Sequence, residues 1–135
     1  MLVDTSVWSI GFRRQRSRLN SQELRIYYAW QELLADGYAS IIGPVRQEVL
    51  SGLETPQEFE ALRLQLQTVP DLKMTTSTFE LAAEYFNMCQ KAGISGGTID
   101  MMICASAVDH DESIFTTDPD FMHYADVLPI GLYVP

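Results

Sequence analysis

The apolar runs of this chain are only two to four residues long, and stretches with helical periodicity separate them. Leu2-Val3, Ala39–Ile42, Leu72–Met74, Ser113–Thr116 and Val127–Ile130 are the candidate strands. Tight hairpins cannot join strands that lie 25 or more residues apart in three of the four intervals. Helical crossovers can, and they make neighbouring strands parallel. The pattern predicts an α/β fold: one domain over residues 1–135, with a mainly parallel sheet of about five strands flanked by helices.

Helix punctuation supports this reading. Asn20 with Glu23 forms a capping-box signature, and Leu24, Tyr27/Tyr28 and Leu33/Leu34 repeat at helical spacing until Gly37. Pro44 and Pro56 each suit the first turn of a helix, the second carrying Phe59, Leu62 and Leu66 and ending near Pro70. A helix from about Ser77 to Lys91 is expected to bury Phe79, Ala82/Ala83 and Phe86 before stopping at Gly93, and another runs from Thr98 to about Val108. The stretch from Val7 to about Arg18 reads as a polar, Arg-rich helix or loop.

Charge and composition narrow the function. The net charge is −9, but residues 1–46 hold six arginines against four acids, whereas residues 47–135 hold three Lys/Arg against fourteen. Arg13, Arg14, Arg16 and Arg18, with Arg25, form the basic cluster that a polyanion would approach. The acidity elsewhere argues against tight non-specific nucleic-acid binding and means that a nucleic-acid enzyme would need cations to offset its own carboxylates. No apolar stretch reaches the ~20 residues a bilayer requires, and Asp4 stands where a secretory signal would be basic, so a cytoplasmic location is expected. Cys89 and Cys104 are too few for a disulfide scaffold and read as buried thiols.

In a parallel sheet, sites form beyond the carboxyl ends of the strands. Asp4 follows the first strand, Asp118 follows the fourth, and Glu48 and Asp100 lie in early turns of helices that follow Gly43-Pro44 and Gly96-Gly97. Singly, each has a structural explanation: capping for Asp4 and Asp118, the helix dipole for Asp100, solvated surface for Glu48. Jointly, four acids from four segments at one sheet edge exceed what capping needs, and they match a hard divalent cation.

These residues also carry a family resemblance. Leu2–Trp8, Pro44–Leu50, Thr98–Ala105 and Thr116–Phe121, in this order, resemble a PIN domain, and specifically a VapC-type toxin ribonuclease. The resemblance implies an endoribonuclease that hydrolyses RNA phosphodiesters with Mg²⁺ or Mn²⁺. Asp4, Asp100 and Asp118 would be direct or water-mediated ligands, and Glu48 would complete the site or orient the attacking water. It further implies that Thr116 supports the cluster, that Asp120 is an adjacent acid, that a small antitoxin blocks the site, and that the protein is a homodimer. Arg13, Arg14, Arg16 and Arg18 are the candidates for holding RNA. Tyr27, Tyr28, Trp30 and Phe59 offer apolar surface to core or dimer.

Two rivals share clustered acids. A receiver-like signalling module would need a lysine on a late strand, but none follows Lys91. An Asp-based phosphatase would use Asp4 as nucleophile and usually a second Asp two positions on, where this chain has Ser6. His110 and His123 stand at no metal-pair spacing, and Gly93–Gly97 lacks the Lys-Ser/Thr of a phosphate loop.

Overall fold

A computed structural model of the chain describes residues 1–12 and 15–135. Strand β1 (Leu2–Val3) runs into helix α1 (Thr5–Phe12), a 3₁₀ turn (Arg16–Arg18) and α2 (Ser21–Ala35). Then come α3 (Gly43–Leu50), α4 (Pro56–Leu66), α5 (Thr76–Lys91) and α6 (Thr98–Asp109). Strand β2 (Ile114–Phe115), α7 (Asp120–Ala125) and β3 (Leu132–Tyr133) complete the chain.

The sheet has three strands in the order β1-β2-β3, all parallel, with Leu2 opposite Ile114 and Ile114 opposite Leu132. The expected strands at 39–42 and 72–74 reduce to single parallel bridges, Leu2 with Ser40 and Ile41 with Asp71. Neighbouring residues explain the shortening. Gly43-Pro44 opens α3 directly after Ile42, and Pro70 supplies its carbonyl to Ile41 N–H but has no N–H of its own. The last strand lies at 132–133 and not at 127–130, because Val127 and Leu128 N–H groups turn back to the Tyr124 carbonyl behind α7. About five segments therefore cross the sheet, but only three are laddered strands.

From β1 in the middle, the chain moves outward through residues 40–41 and 71, then returns to the opposite side of β1 for β2 and β3. The winding reverses between β1 and β2, and a crevice opens beyond their carboxyl ends at such a reversal. Asp4 and Thr116 are the first residues past those two strands.

Helix α1 differs from the polar segment expected over Val7–Arg18. It is apolar, burying Val7, Trp8 and Ile10, and only the segment after it is basic. Trp8 Nε1 donates to the Val3 carbonyl at 3.0 Å, which satisfies the buried indole, while its ring stacks on Phe12 and meets Trp30 edge-on. That aromatic cluster fastens α1 to α2. Both halves of the Asn20/Glu23 capping box are present. Arg46 ties α3 to the segment after α4, donating to the Leu66 and Val69 carbonyls at 2.9 Å and to the Asp71 carboxylate at 3.0 and 3.1 Å.

Helix α5 packs on α6 through Thr78, Ala82, Tyr85 and Cys89. This stripe turns Phe79, Ala83 and Phe86 outward, contrary to expectation: Thr78 Oγ1 donates to Asp109 at 2.6 Å and sets the helix's rotation. Helix α6 is buried on nearly all sides, from Met101 to Ala107, which explains its small, apolar composition. Both cysteines are buried free thiols, and no helix among the described residues is long and apolar enough to cross a membrane.

Gly11 on α1 packs directly against the Trp30 ring of α2. A Cβ there would stand 2.7 Å from three carbons of the Trp30 ring. Alanine would gain about 0.5–1 kcal/mol of helix propensity, but overpacking costs about 1–3 kcal/mol, so the clash dominates. Gly11→Ala is expected to lower unfolding free energy by about 1–2 kcal/mol in urea titration, and an unchanged or raised midpoint would show that Trp30 yields freely.

Candidate metal centre

Five acids were marked by the sequence, and the structure separates them into a triad and two flanking groups. Asp100, Asp118 and Asp120 each offer a carboxylate oxygen within 4.8 Å of the others. Asp100 sits in the first turn of α6, where Gly97 precedes the helix. Asp118 and Asp120 bracket Pro119 at the start of α7. Asp118 also has a structural role, in a turn and not as the helix cap, which is Pro119: its Oδ1 accepts from Asp120 N–H at 2.9 Å, closing the turn into α7.

Asp4 lies outside the triad but beside it. It is 6% exposed, and its Oδ2 accepts from Ser6 Oγ at 2.7 Å and Thr116 Oγ1 at 2.8 Å, with Ser6 N–H at 3.4 Å. Thr116 Oγ1 in turn accepts from Asp118 N–H at 3.0 Å, so one hydroxyl joins the ends of β1 and β2 to the acidic turn. Glu48 is exposed on α3 and accepts from Thr5 Oγ1 at 2.6 Å. It shares a small hollow with Thr5 and Ile99, the sequence neighbours of Asp4 and Asp100.

Two groups in this network escaped the sequence reading. Ser6 was visible in principle, since a serine two residues after an aspartate at a helix start is an Asx-turn signature. Tyr124 was not: its hydroxyl donates to Asp100 Oδ2 at 2.8 Å across 24 positions of sequence. Burial, and then its bond to the Asp100 carboxylate, push the Tyr124 phenol upward, so it remains a protonated donor throughout the neutral range.

The electrostatics are those of a site short of positive charge. Burial pushes the Asp100 carboxyl up from its ordinary value of 3.8, the Tyr124 hydrogen bond opposes that, and the charges on Asp4, Asp118 and Asp120 add to it. Among the described residues, no lysine, arginine or histidine pairs with any of these four carboxylates. Hydroxyl and amide donors hold them, which fixes geometry but leaves the charge uncompensated by any described residue. A set of three oxygen donors suits a hard divalent cation such as Mg²⁺ or Mn²⁺.

Of the basic candidates, Arg16 lies over the Tyr28 ring, 5.1 Å from its centroid, and donates to its hydroxyl. Arg18 is exposed, and Arg13 and Arg14 lie outside the described residues. Just after Arg18, the start of α2 borders a hollow of about 530 Å³ whose other wall includes Thr117, Asp118, Pro119 and Met122.

The model of the PIN domain matches residues 1–127. The chain belongs to the PIN domain family. Its fold is shared with solved structures at low sequence identity. FitAcB from Neisseria gonorrhoeae aligns at a TM-score of 0.69 with 19% identity, covering 99% of this chain and 96% of that one. VapBC2 from Rickettsia felis, bound to a DNA fragment from their promoter, aligns at 0.72 with 14% identity over 98% and 96%. FitAB bound to an IR36 DNA fragment aligns at 0.67 with 18% identity over 98% and 92%. No curated protein matches the sequence.

The raised Asp100 carboxyl makes a testable statement about this PIN domain without metal. The folded chain keeps a proton there at pH values where the unfolded chain has lost it, so this group's contribution to stability falls as pH rises above 3.8 and stays low beyond the folded value. Asp100→Asn removes that burden. In EDTA at pH 7.5 the variant is expected to melt a few degrees above the parent, the advantage shrinking toward pH 4. A variant that melts lower at pH 7.5 would mean the carboxylate is compensated.

Proposed function

We propose that this PIN domain is a Mg²⁺- or Mn²⁺-dependent endoribonuclease and the toxin of a toxin–antitoxin pair. The observation that carries the reading is the convergence of Asp100, Asp118 and Asp120 at the point where the winding of the sheet reverses. A structural turn accounts for Asp118, but nothing structural accounts for a half-buried Asp100 facing two further acids. The sequence resemblance to VapC-type ribonucleases and the shared fold with VapBC2 and FitAcB support the biological setting.

Asp100, Asp118 and Asp120 would hold the ion, with Asp4 completing the set through Oδ1, since its Oδ2 is committed to Ser6 and Thr116. Such a cation supplies a Lewis acid that acidifies water and offsets the charge developing on a phosphate under attack. The protein's own part is to align. Thr116 and Ser6 lock Asp4, Asp118 orders the turn that presents Asp120, and Glu48, held by Thr5, accepts a proton from the attacking water or orients it. RNA would enter over the hollow beside α2, with its backbone toward the basic segment of Arg13, Arg14, Arg16 and Arg18, where positive charge offsets the acidity of the rest of the chain.

A small antitoxin covering the acidic crevice and a homodimer complete the proposal. For the dimer, Trp30 is buried and Tyr27 half-buried, so they serve the core. Tyr28, Phe59, Phe79 and Phe86 are 40–47% exposed and remain for an interface. Sedimentation at micromolar concentration is expected to show twice the 15.2 kDa chain mass, and a purely monomeric species would contradict the dimer.

Cleavage of a structured RNA by the purified chain tests the activity. It is expected with Mg²⁺ or Mn²⁺, to stop in EDTA, and to fall about a hundredfold in Asp118→Asn and Asp120→Asn without loss of folded structure. Undiminished cleavage by both variants would overturn the assignment. Phosphate release from phosphomonoesters without RNA cleavage would favour the phosphatase reading, with Asp4 as nucleophile.

A further inference from the structure

We infer that Tyr124 is a positioning residue for the metal centre: its hydroxyl fixes the rotation of the Asp100 carboxylate so that Oδ1 faces Asp118 and Asp120. The inference rests on reading the acidic triad as an ion site, and it adds a residue outside the acidic set.

The geometry is specific. Tyr124 is 1% exposed, and its ring is wedged edge-on against Phe121, itself fully buried, with centroids 5.2 Å apart. The phenol oxygen therefore has little room to move. It donates to Asp100 Oδ2 at 2.8 Å, while the Ser95 carbonyl stands farther off at 3.4 Å. Gly97 also lies close to this oxygen: a Cβ there would stand 3.3 Å from Oδ2. Oδ2 thus has a donor and Gly97 beside it, whereas Oδ1 accepts no hydrogen bond from the described residues. An aspartate's terminal torsion is otherwise broad, with two equivalent wells, so this single bond narrows the plane in which the carboxylate stands.

The connection also spans two elements. Asp120 and Tyr124 lie one turn apart on α7, so the helix that presents one member of the triad reaches across to hold another on α6. Movement of α7 would shift Asp120 and release Asp100 together. A buried tyrosine needs some partner for its hydroxyl, and a purely structural role predicts that removing the hydroxyl changes stability but not ion affinity.

Calorimetric titration of Mn²⁺ into the EDTA-stripped full chain separates these cases, with melting followed in parallel. Tyr124→Phe keeps the ring and removes the oxygen, and Phe121→Leu loosens the buried face of α7 without touching Asp100. The expected result is a Kd for Mn²⁺ raised about tenfold in Tyr124→Phe, with its metal-free melting temperature close to the parent. Phe121→Leu is expected to melt lower with a smaller change in Kd. Parental affinity in Tyr124→Phe, or an equal loss in Phe121→Leu, would overturn the positioning role while leaving the metal centre intact. Absence of Mn²⁺ uptake by the parent chain would overturn the metal-centre reading itself, and this role with it.

Discussion

The gathering of carboxylates, one of them half-buried, at one end of a parallel sheet is the constraint around which this site is arranged. Burial pushes the Asp100 carboxyl toward its neutral form, and the charges on Asp4, Asp118 and Asp120 add to that push. Like charges at such spacing spread apart unless something holds them. Here the holding is done by short, neutral donors: Ser6 and Thr116 on Asp4, the Asp120 amide on Asp118, Tyr124 on Asp100. Each fixes direction without cancelling charge. That combination, fixed geometry with no compensating cation among the described residues, is what a cation site needs and differs from a structural ion pair such as Arg46 with Asp71 on the same molecule.

The fold supplies the other half of the arrangement. Strands of two residues contribute little ladder energy, so the sheet acts as a central spacer whose order decides which loops meet. Helices supply the burial: the Trp8, Phe12 and Trp30 cluster on one part of the molecule, and the nearly all-round burial of α6 on another. Because α6 is immersed in the core, Asp100 at its first turn is fixed in position. The acidic turn at 118–120 hangs from β2, which is hydrogen-bonded to both β1 and β3. The site is therefore built on the most constrained parts of the chain, as preorganised chemistry requires.

Much of this was legible in the sequence, for identifiable reasons. Helix boundaries carried local signals: the Asn20/Glu23 box, Pro44, Pro56 and Gly93 all act within a few residues. Asp4 was marked because it follows an apolar run directly, and Asp118 because it lies just past one. The failures were tertiary. Whether α5 buries Phe79 or Tyr85 depends on which stripe meets α6, and both stripes have helical spacing. Strand length at 39–42 was cut by a helix starting immediately after it, and the last strand shifted because the chain turns back behind α7. Asp120 gave no sign of equal standing with Asp118 until the turn into α7 brought them together, and nothing local connects Tyr124 to Asp100.

A crystal of the chain grown or soaked with Mn²⁺ and measured at a wavelength where manganese scatters anomalously addresses the central claim most directly. A strong anomalous peak enclosed by the carboxylates of Asp100, Asp118 and Asp120, with Asp4 facing it, is expected. A map with no peak there, or with manganese bound only to acids on another face, would contradict it.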